Sequence, residues 1–399
     1  MSMIRAYIVI TNLLICLFSM FGYKNYHVEA EYNNQFLERA EQTLDSLYSN
    51  YSCKGTFLLR ENYSSKDNYT ATYLASQRPK SPNNPYSYLW PYSGTFSAVS
   101  AIMSSDINYK KILDRKVLPG LDEYYDKKRK PYAYSSYISS APLSDRFYDD
   151  NIWLGIDYTD VYMLTHESKY ITKARDIWNY IESGIDEELG GGIYWCEQKK
   201  ESKNTCSNAP GTVLALKLFI ATNDSSLLIK GERLYEWTKS HLQDQNDDLY
   251  FDNIGLSGKI GKAKYAYNSG QMMQAASLLY KVTSKKKYLD DAQRIAASCY
   301  QYFFTEFLPM NGISFRILKK GDIWFSAVML RGFIELYHID RNKTYLNSFI
   351  KTLDWAWEKA RDEKGLFYTD LSGRVKDNRK WLLTQSAMVE MYARLAKIE

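Results

Sequence analysis

One helical pattern recurs six times along this chain of 399 residues, and it leaves few folds open. Each copy starts with an aromatic residue or Leu beside an apolar neighbour. A small residue often follows four positions on, and apolar residues follow at seven or eight. That spacing puts the apolar residues on one stripe of an α-helix and leaves a charged outer face. The copies start at Phe36, Tyr109, Tyr170, Leu227, Tyr288 and Tyr345, with gaps of 73, 61, 57, 61 and 57 residues. Each copy is followed by a segment richer in apolar and small residues: Tyr92–Met103, Asp150–Leu164, Pro210–Ala221, Ser269–Val282, Phe325–Ile339 and Leu382–Ile398. A helix apolar nearly all round is buried on both sides. Before most of these segments a Gly- or Asn-marked turn leads into a short aromatic stretch, at Gly190–Trp195, Leu249–Asp252, Asn311–Phe315 and Gly365–Tyr368. Gly ends the outer helix there, and the stretch reads as extended chain.

Six pairs of an amphipathic outer and a buried inner helix predict an all-α (α/α)6 barrel. Six helical hairpins form two concentric rings, without a sizeable β-sheet and with the first and last hairpins adjacent. An open solenoid of short pairs repeats every ~34 residues and fits worse. In the closed form, the inner helices' N-terminal ends converge on one face with the loops before them. No linker interrupts the pattern, so residues 31–399 are expected to form a single catalytic domain.

Residues 1–30 read differently. Arg5 precedes an apolar run from Ala6 to Phe21, and Val28-Glu29-Ala30 offers residues that suit signal-peptidase cleavage. We read a cleaved export signal, with a retained single-span anchor as the alternative. Lipidation at Cys16 fits poorly, because Ile15 before it is not small. A secreted or cell-envelope location follows, periplasmic or surface-anchored forms included. Export permits disulfides among Cys53, Cys196, Cys206 and Cys299. Cys196 and Cys206 flank one short polar loop and are the pair the spacing favours; the alternative is that all four are free.

Composition narrows the function. The charge is only +5, from 51 basic and 46 acidic residues, and no basic run carries interleaved aromatics, so no nucleic-acid partner is expected. Four histidines, His27, His166, His241 and His338, lack metal-ligand spacing and supply a Ser-His triad poorly. The 36 Tyr, 9 Trp and 16 Phe suit sugar faces, whose C–H groups pack on flat rings while hydroxyls bond the rim. An aromatic-rich core would read the same way.

The densest chemistry lies at Arg146–Trp153, where Asp149 and Asp150 open the second inner helix between Tyr148 and Trp153. Either Asp alone reads as a helix cap; two in succession between aromatics are less easily read so. Adjacent helical residues have Cα atoms ~3.8 Å apart, so their carboxyl groups can lie about 5–6 Å from each other. Retaining glycoside hydrolysis needs about 5–5.5 Å, whereas inversion needs about 6.5–9.5 Å to admit a water. Two like charges that close also split their pKa values, leaving one carboxylate ionised and the other protonated.

Tyr148-Asp149-Asp150-Asn151-Ile152-Trp153 resembles the signature of glycoside hydrolase family 76, the α-1,6-mannanases and related fungal cell-wall mannan enzymes. The resemblance extends over nearly the whole chain after residue 30. Gly190–Trp195 resembles the family's glycine-tryptophan segment. Lys203-Asn204 with Ser207-Asn208 resembles its Lys-Asn…Ser-Asn loop. Tyr267–Gly270 resembles its Tyr-Asn-Gln-Gly segment, with Ser269 in place of the usual Gln. The resemblance implies an (α/α)6 barrel and a retaining, endo-acting α-1,6-mannanase. By motif match Asp149 carries over as nucleophile and Asp150 as general acid/base, and the order between them rests on the family.

Other residues expected on the same face are candidates for substrate binding. Asn204, Asn208 and Asn268 offer amides, with turn or capping roles as the alternative. Asp252 follows Tyr250-Phe251 and offers a carboxylate to a sugar hydroxyl, a plain loop acid being the alternative; Tyr267 precedes an inner helix, and Tyr148 and Asn151 flank the acids. Trp90, Trp153 and Trp195 are stacking candidates, Trp153 also being readable as core, and Trp324 and Trp381 are rim candidates by position. No cofactor or metal is implied, since two carboxylates suffice. The expected partner is an α-mannan polysaccharide or oligosaccharide, and the expected state a monomer. Three other readings compete. A mannan or cell-wall transglycosylase shares the covalent intermediate, but Arg394–Glu399 carries no hydrophobic anchor tail. A catalytically inactive carbohydrate-binding protein is disfavoured by the presence of both acids. Another (α/α)6 enzyme, such as a sugar epimerase, is disfavoured by the scarcity of histidine.

Overall fold

The computed structural model describes residues 34–64, 71–75, 85–310 and 312–398, and they form six helical pairs. The export signal, Cys16 and His27 lie outside the described residues. The inner helices are α2 (Leu89–Met103), α4 (Tyr148–Thr165), α6 (Thr205–Thr222), α8 (Ala266–Thr283), α10 (Ile323–Asp340) and α12 (Leu382–Leu395). The outer helices are α1 (34–51), α3 (107–122), α5 (Ser168–Glu182), α7 (Ser225–Leu242), α9 (Lys286–Phe303) and α11 (Thr344–Lys359). Helix α3 is a composite of 3-10, α and π turns.

Burial follows the two sequence patterns. Helix α9 buries only a stripe, Tyr288, Asp291, Ala292, Ile295, Ala296 and Cys299. Helix α12 buries every residue from Leu382 to Ala393. Each inner helix packs on both its neighbours, and α12 packs on α2, so the ring closes as an (α/α)6 barrel. The small residue of the repeat marks where an outer helix meets an inner one: a Cβ on Gly231 would stand 3.0 Å from the Leu216 side chain. A close backbone approach joins α8 and α10, where a Cβ on Gly332 would lie 2.3 Å from the Gly270 carbonyl oxygen.

Four inner helices end on a left-handed residue, His166, Asn223, Ser284 and Arg341, whose N–H donates to a carbonyl four residues back. Each stands four residues before a repeat start, at Tyr170, Leu227, Tyr288 and Tyr345. The 57- and 61-residue gaps are therefore the spacing of these tight inner-to-outer turns. None of the four is Gly, so glycine punctuation does not reveal them.

Three expectations need correcting. Inner helices start up to five residues earlier than apolarity suggests, as at Thr205 instead of Pro210, because their first turns carry polar residues. The extended stretches also do not stay separate. Tyr194–Cys196, Lys199–Asn204, Phe251–Gly255 and Ile260–Lys264 zip into one small four-stranded antiparallel sheet ahead of α6 and α8. Backbone pairing across distant loops is invisible to a local reading. The favoured Cys196–Cys206 bridge does not form, and Cys53, Cys196, Cys206 and Cys299 are all free. Cys196 ends a strand, while Cys206 is already in the first turn of α6. The seam closes as expected, with Asn62–Tyr63 paired to Lys380–Trp381 and Tyr51 Oη donating to the Lys380 carbonyl at 2.9 Å.

Candidate active site

The inner helices alternate with outer ones, so all six start at the same end of the barrel. Their first turns have a common plan. The first residue of each, Leu89, Tyr148, Thr205, Ala266, Ile323 or Leu382, is buried packing. The second residues are Trp90, Asp149, Cys206, Tyr267, Trp324 and Leu383. Contacts pass along this set at the mouth. The Cys206 thiol lies close enough to Asp149 and Tyr267 to interact with both. The Tyr267 ring lies 6.0 Å from Trp324, which lies 5.5 Å from Trp90.

Neither acid caps its helix. The N-cap of α4 is Phe147, which makes no side-chain cap bond, and Asp149 and Asp150 follow as the second and third helical residues. There the helix dipole and the free N–H groups of the first turn favour negative charge. The two environments differ. Burial raises the Asp149 carboxyl above the ordinary range, but the Cys206 thiol, the N–H groups of Asp149 and Asp150, and Trp195 pull it back. Its Oδ1 is nonetheless left without a well-formed hydrogen bond. Burial also raises Asp150, the Asp149 charge raises it further, and no donor offsets either effect. Asp149 therefore ionises first and Asp150 keeps the proton.

The polar half of the mouth is completed from α6 and α8. Asp252, on the first strand of the hairpin that precedes α8, is raised by burial and eased by Asn253 and Asn268. Asn253 Nδ2 donates to Asp252 Oδ2 at 2.8 Å. Asn268 is fully buried; it faces Asp252, yet neither of its amide atoms reaches proper hydrogen-bond geometry. Asn204 is the N-cap of α6, and its Oδ1 accepts from Ser202 Oγ at 2.7 Å. Trp195 stands beside Asp149 and packs on Phe147 at 4.9 Å. The aromatic half comes from α10, α12 and α2. Trp90 meets Trp381 edge to face at 5.2 Å, and Tyr267 stacks on Phe325 at 4.1 Å, joining the halves.

Three expected binding residues prove to be scaffold. Tyr148 is 1% exposed and stacks on Tyr180 at 4.9 Å, behind the mouth. Asn151 is wholly buried. Its Nδ2 donates to the Tyr134 and Phe147 carbonyls, both at 2.9 Å, and its Oδ1 accepts from Tyr134 N at 2.8 Å. Asn208 repeats this one hairpin later, donating to the Ile193 carbonyl at 2.9 Å and the Asn204 carbonyl at 2.8 Å, and accepting from Ile193 N at 2.6 Å. Both occupy the fourth helical position and clamp the preceding loop. Gln385 does the same with Phe367 N and O. Ser269, at the place where Gln was expected, accepts only from Tyr250 N, at 3.0 Å. Trp153 is core, edge-on to Trp324 at 5.0 Å.

Sequence reasoning missed Cys206 and Asp322. Asp322 N-caps α10 through Trp324 N at 2.9 Å, and burial pushes it up to about 6. Aligning the six inner helices on their first turns would have flagged Cys206, which falls in register with Asp149.

A closed (α/α)6 barrel with paired, unequal carboxylates and an aromatic rim at one mouth defines a six-hairpin glycosidase. Within that class, the chain belongs to glycosyl hydrolase family 76, whose model matches residues 59–322. The chain is similar to the solved family 76 mannosidase Bt3792 of Bacteroides thetaiotaomicron, with a TM-score of 0.82 and 33% identity over 91% of this chain and 98% of that one. It is 27% identical over 211 residues to the meiotically up-regulated gene 191 protein of Schizosaccharomyces pombe, covering 48% of this chain and 47% of that protein. It is also 25% identical over 144 residues to mannan endo-1,6-alpha-mannosidase DCW1 of Candida albicans, covering 34% of this chain and 32% of that protein. The chain thus spans half the length or less of these curated relatives.

Proposed function

We propose that this chain is a secreted, retaining, endo-acting α-1,6-mannanase that works as a monomer, with Asp149 as nucleophile and Asp150 as general acid/base. Residues 31–399 are its catalytic domain, following a cleaved export signal at 1–30. The observation that carries this reading is the unequal pair in the first turn of α4: Cys206, Trp195 and the N–H groups around Asp149 favour its charge, while Asp150 has only burial and the neighbouring charge, which oppose its own. The activity for which the Candida relative is named supports the linkage.

In the first step the Asp149 carboxylate attacks the anomeric carbon and the glycosidic C–O bond breaks. Asp150 gives its proton to the departing oxygen. This leaves a glycosyl ester on Asp149 and a carboxylate on Asp150. In the second step Asp150 takes a proton from water, whose oxygen attacks the same carbon and frees Asp149. Two inversions give net retention. Once Asp149 is esterified its charge is gone, which makes Asp150 more acidic and able to act as base. Trp90, Trp195, Asn204, Asp252, Tyr267 and Asn268 line the sugar-binding mouth.

The test is incubation with linear α-1,6-mannan and with unrelated polysaccharides, following new reducing ends by proton NMR. The expected result is shortened α-1,6-mannooligosaccharides that first appear as the α-anomer. First appearance of the β-anomer, or equal action on unrelated polymers, overturns the proposal.

A further inference from the structure

Glu61 lies where the first loop meets the last. It precedes Asn62–Tyr63, which pairs with Lys380–Trp381 across the barrel seam. The residue is 8% exposed, and its carboxylate gathers three distant segments. Oε1 accepts from Tyr73 Oη at 2.5 Å and from Trp381 Nε1 at 3.1 Å, while Oε2 accepts from Tyr88 N at 2.9 Å. Its carbonyl accepts from Leu382 N at 2.9 Å. Tyr88 is the N-cap of α2, two residues before Trp90, and Trp381 is the N-cap of α12. One buried carboxylate thus sets the rotation of two rings and the starting turn of a helix that carries a third.

Those rings meet edge to face. Tyr73 lies 5.1 Å from Trp90 at 87°, and Trp90 lies 5.2 Å from Trp381 at 85°. Tyr73 and Trp381 are 6.0 Å apart. All three keep part of their surface exposed. Packing alone would leave the rings free to slide, whereas hydrogen bonds to a fixed carboxylate do not. The group stands at the starts of α2 and α12, and α2 packs on α4, which carries the acids. A sugar held at the acids would have its neighbour in the chain over these rings, whose faces accept C–H groups.

We propose that Tyr73, Trp90 and Trp381 form an aromatic subsite for a sugar unit adjoining the bond that is cut, and that Glu61 is the positioning residue that orients it. This rests on the reading of Asp149 and Asp150 as the reacting centre. Glu61→Gln is nearly isosteric but sets an amide N–H₂ against the Tyr88 N–H. Trp381→Phe keeps a ring and deletes the N–H that Glu61 accepts. Both are made in an Asp149→Asn background, and the Kd values of an α-1,6-mannotetraose and of methyl α-mannoside are measured by titration calorimetry. The expected result is a mannotetraose Kd weakened about 3- to 10-fold in each variant, with a smaller change for the monosaccharide. In the active background KM for the tetraose rises more than kcat falls. An unchanged tetraose Kd in both variants, or equal weakening for both ligands, overturns the subsite. If Glu61→Gln does not fold, Trp381→Phe decides alone. Full turnover by Asp149→Asn would instead sink the reading of the reacting centre, and the comparison of Kd values would still judge the subsite.

Discussion

Arg331 on α10 holds Glu390 on α12 through two hydrogen bonds, Nε to Oε1 at 2.6 Å and Nη2 to Oε2 at 2.9 Å, with both side chains buried. Arg394 adds a third bond to the same carboxylate at 2.6 Å. Ser97 on α2 donates to Asp157 on α4 at 2.6 Å, and Asp157 feels the Arg331 charge. Four inner helices therefore share one buried polar cluster, which sets how they stand against each other.

Removing one partner of a buried pair leaves an uncompensated charge. Glu390→Gln should cost about 3–5 kcal/mol of stability, read from urea unfolding. Arg331 and Arg394 hold the Glu390 carboxyl at about 2, below its unfolded value. Its contribution is therefore present above the ordinary glutamate range and lost as pH falls towards about 2. The variant should be less sensitive to acid over that window; an identical acid profile would contradict the pairing.

Asp149→Asn and Asp150→Asn should each reduce mannan turnover strongly, by roughly 10²–10⁴ for lost acid/base help alone. They should differ in kind. With an activated leaving group, the Asp150 variant still forms a glycosyl-enzyme, which added azide releases. The Asp149 variant traps no sugar covalently, as intact-mass spectrometry can show. Near-normal activity in either variant would move the chemistry elsewhere on the barrel.

The acids also act on stability. The folded state raises Asp150 well above its unfolded value. As pH climbs past the ordinary aspartate range, the unfolded chain releases this proton while the folded chain keeps it, so stability falls. Asp150→Asn should therefore melt higher than the parent at neutral pH, and the gain should vanish below the unfolded pKa. A variant less stable than the parent at pH 7 would count against the charge conflict.

Asn208→Ala deletes three bonds to buried backbone, at Ile193 N and O and at Asn204 O. Each backbone group left unsatisfied carries a desolvation cost, and a total loss of about 2–4 kcal/mol is expected. Activity should fall too, since Ile193 leads into the strand that carries Trp195. Denaturant midpoints and mannan turnover measure both; a change within ~0.5 kcal/mol would mean the clamp is replaced by water.

The barrel was legible in the sequence because burial has a period. Tyr170, Ala174 and Ile177 recur in kind at Tyr288, Ala292 and Ile295, and a helix with one apolar stripe can only lie on something else. Asp149 and Asp150 stood out in the sequence because two acids in succession have few structural uses. What these residues face was decided by the tertiary structure. In sequence Asn151, Asn208 and Asn268 are alike, three amides near the starts of inner helices. Only the packed loops make the first two clamps and leave the third, equally buried, facing Asp252 without a loop to clamp. Cys206 acquired its role from a neighbouring helix, and Glu61 acquired its place from Trp381, which comes to it from the far end of the chain. Periodicity is a property of one segment, and a single chain displays it. The partner of a polar atom depends on which distant segments the closed ring brings within about 3 Å, and no local pattern encodes that.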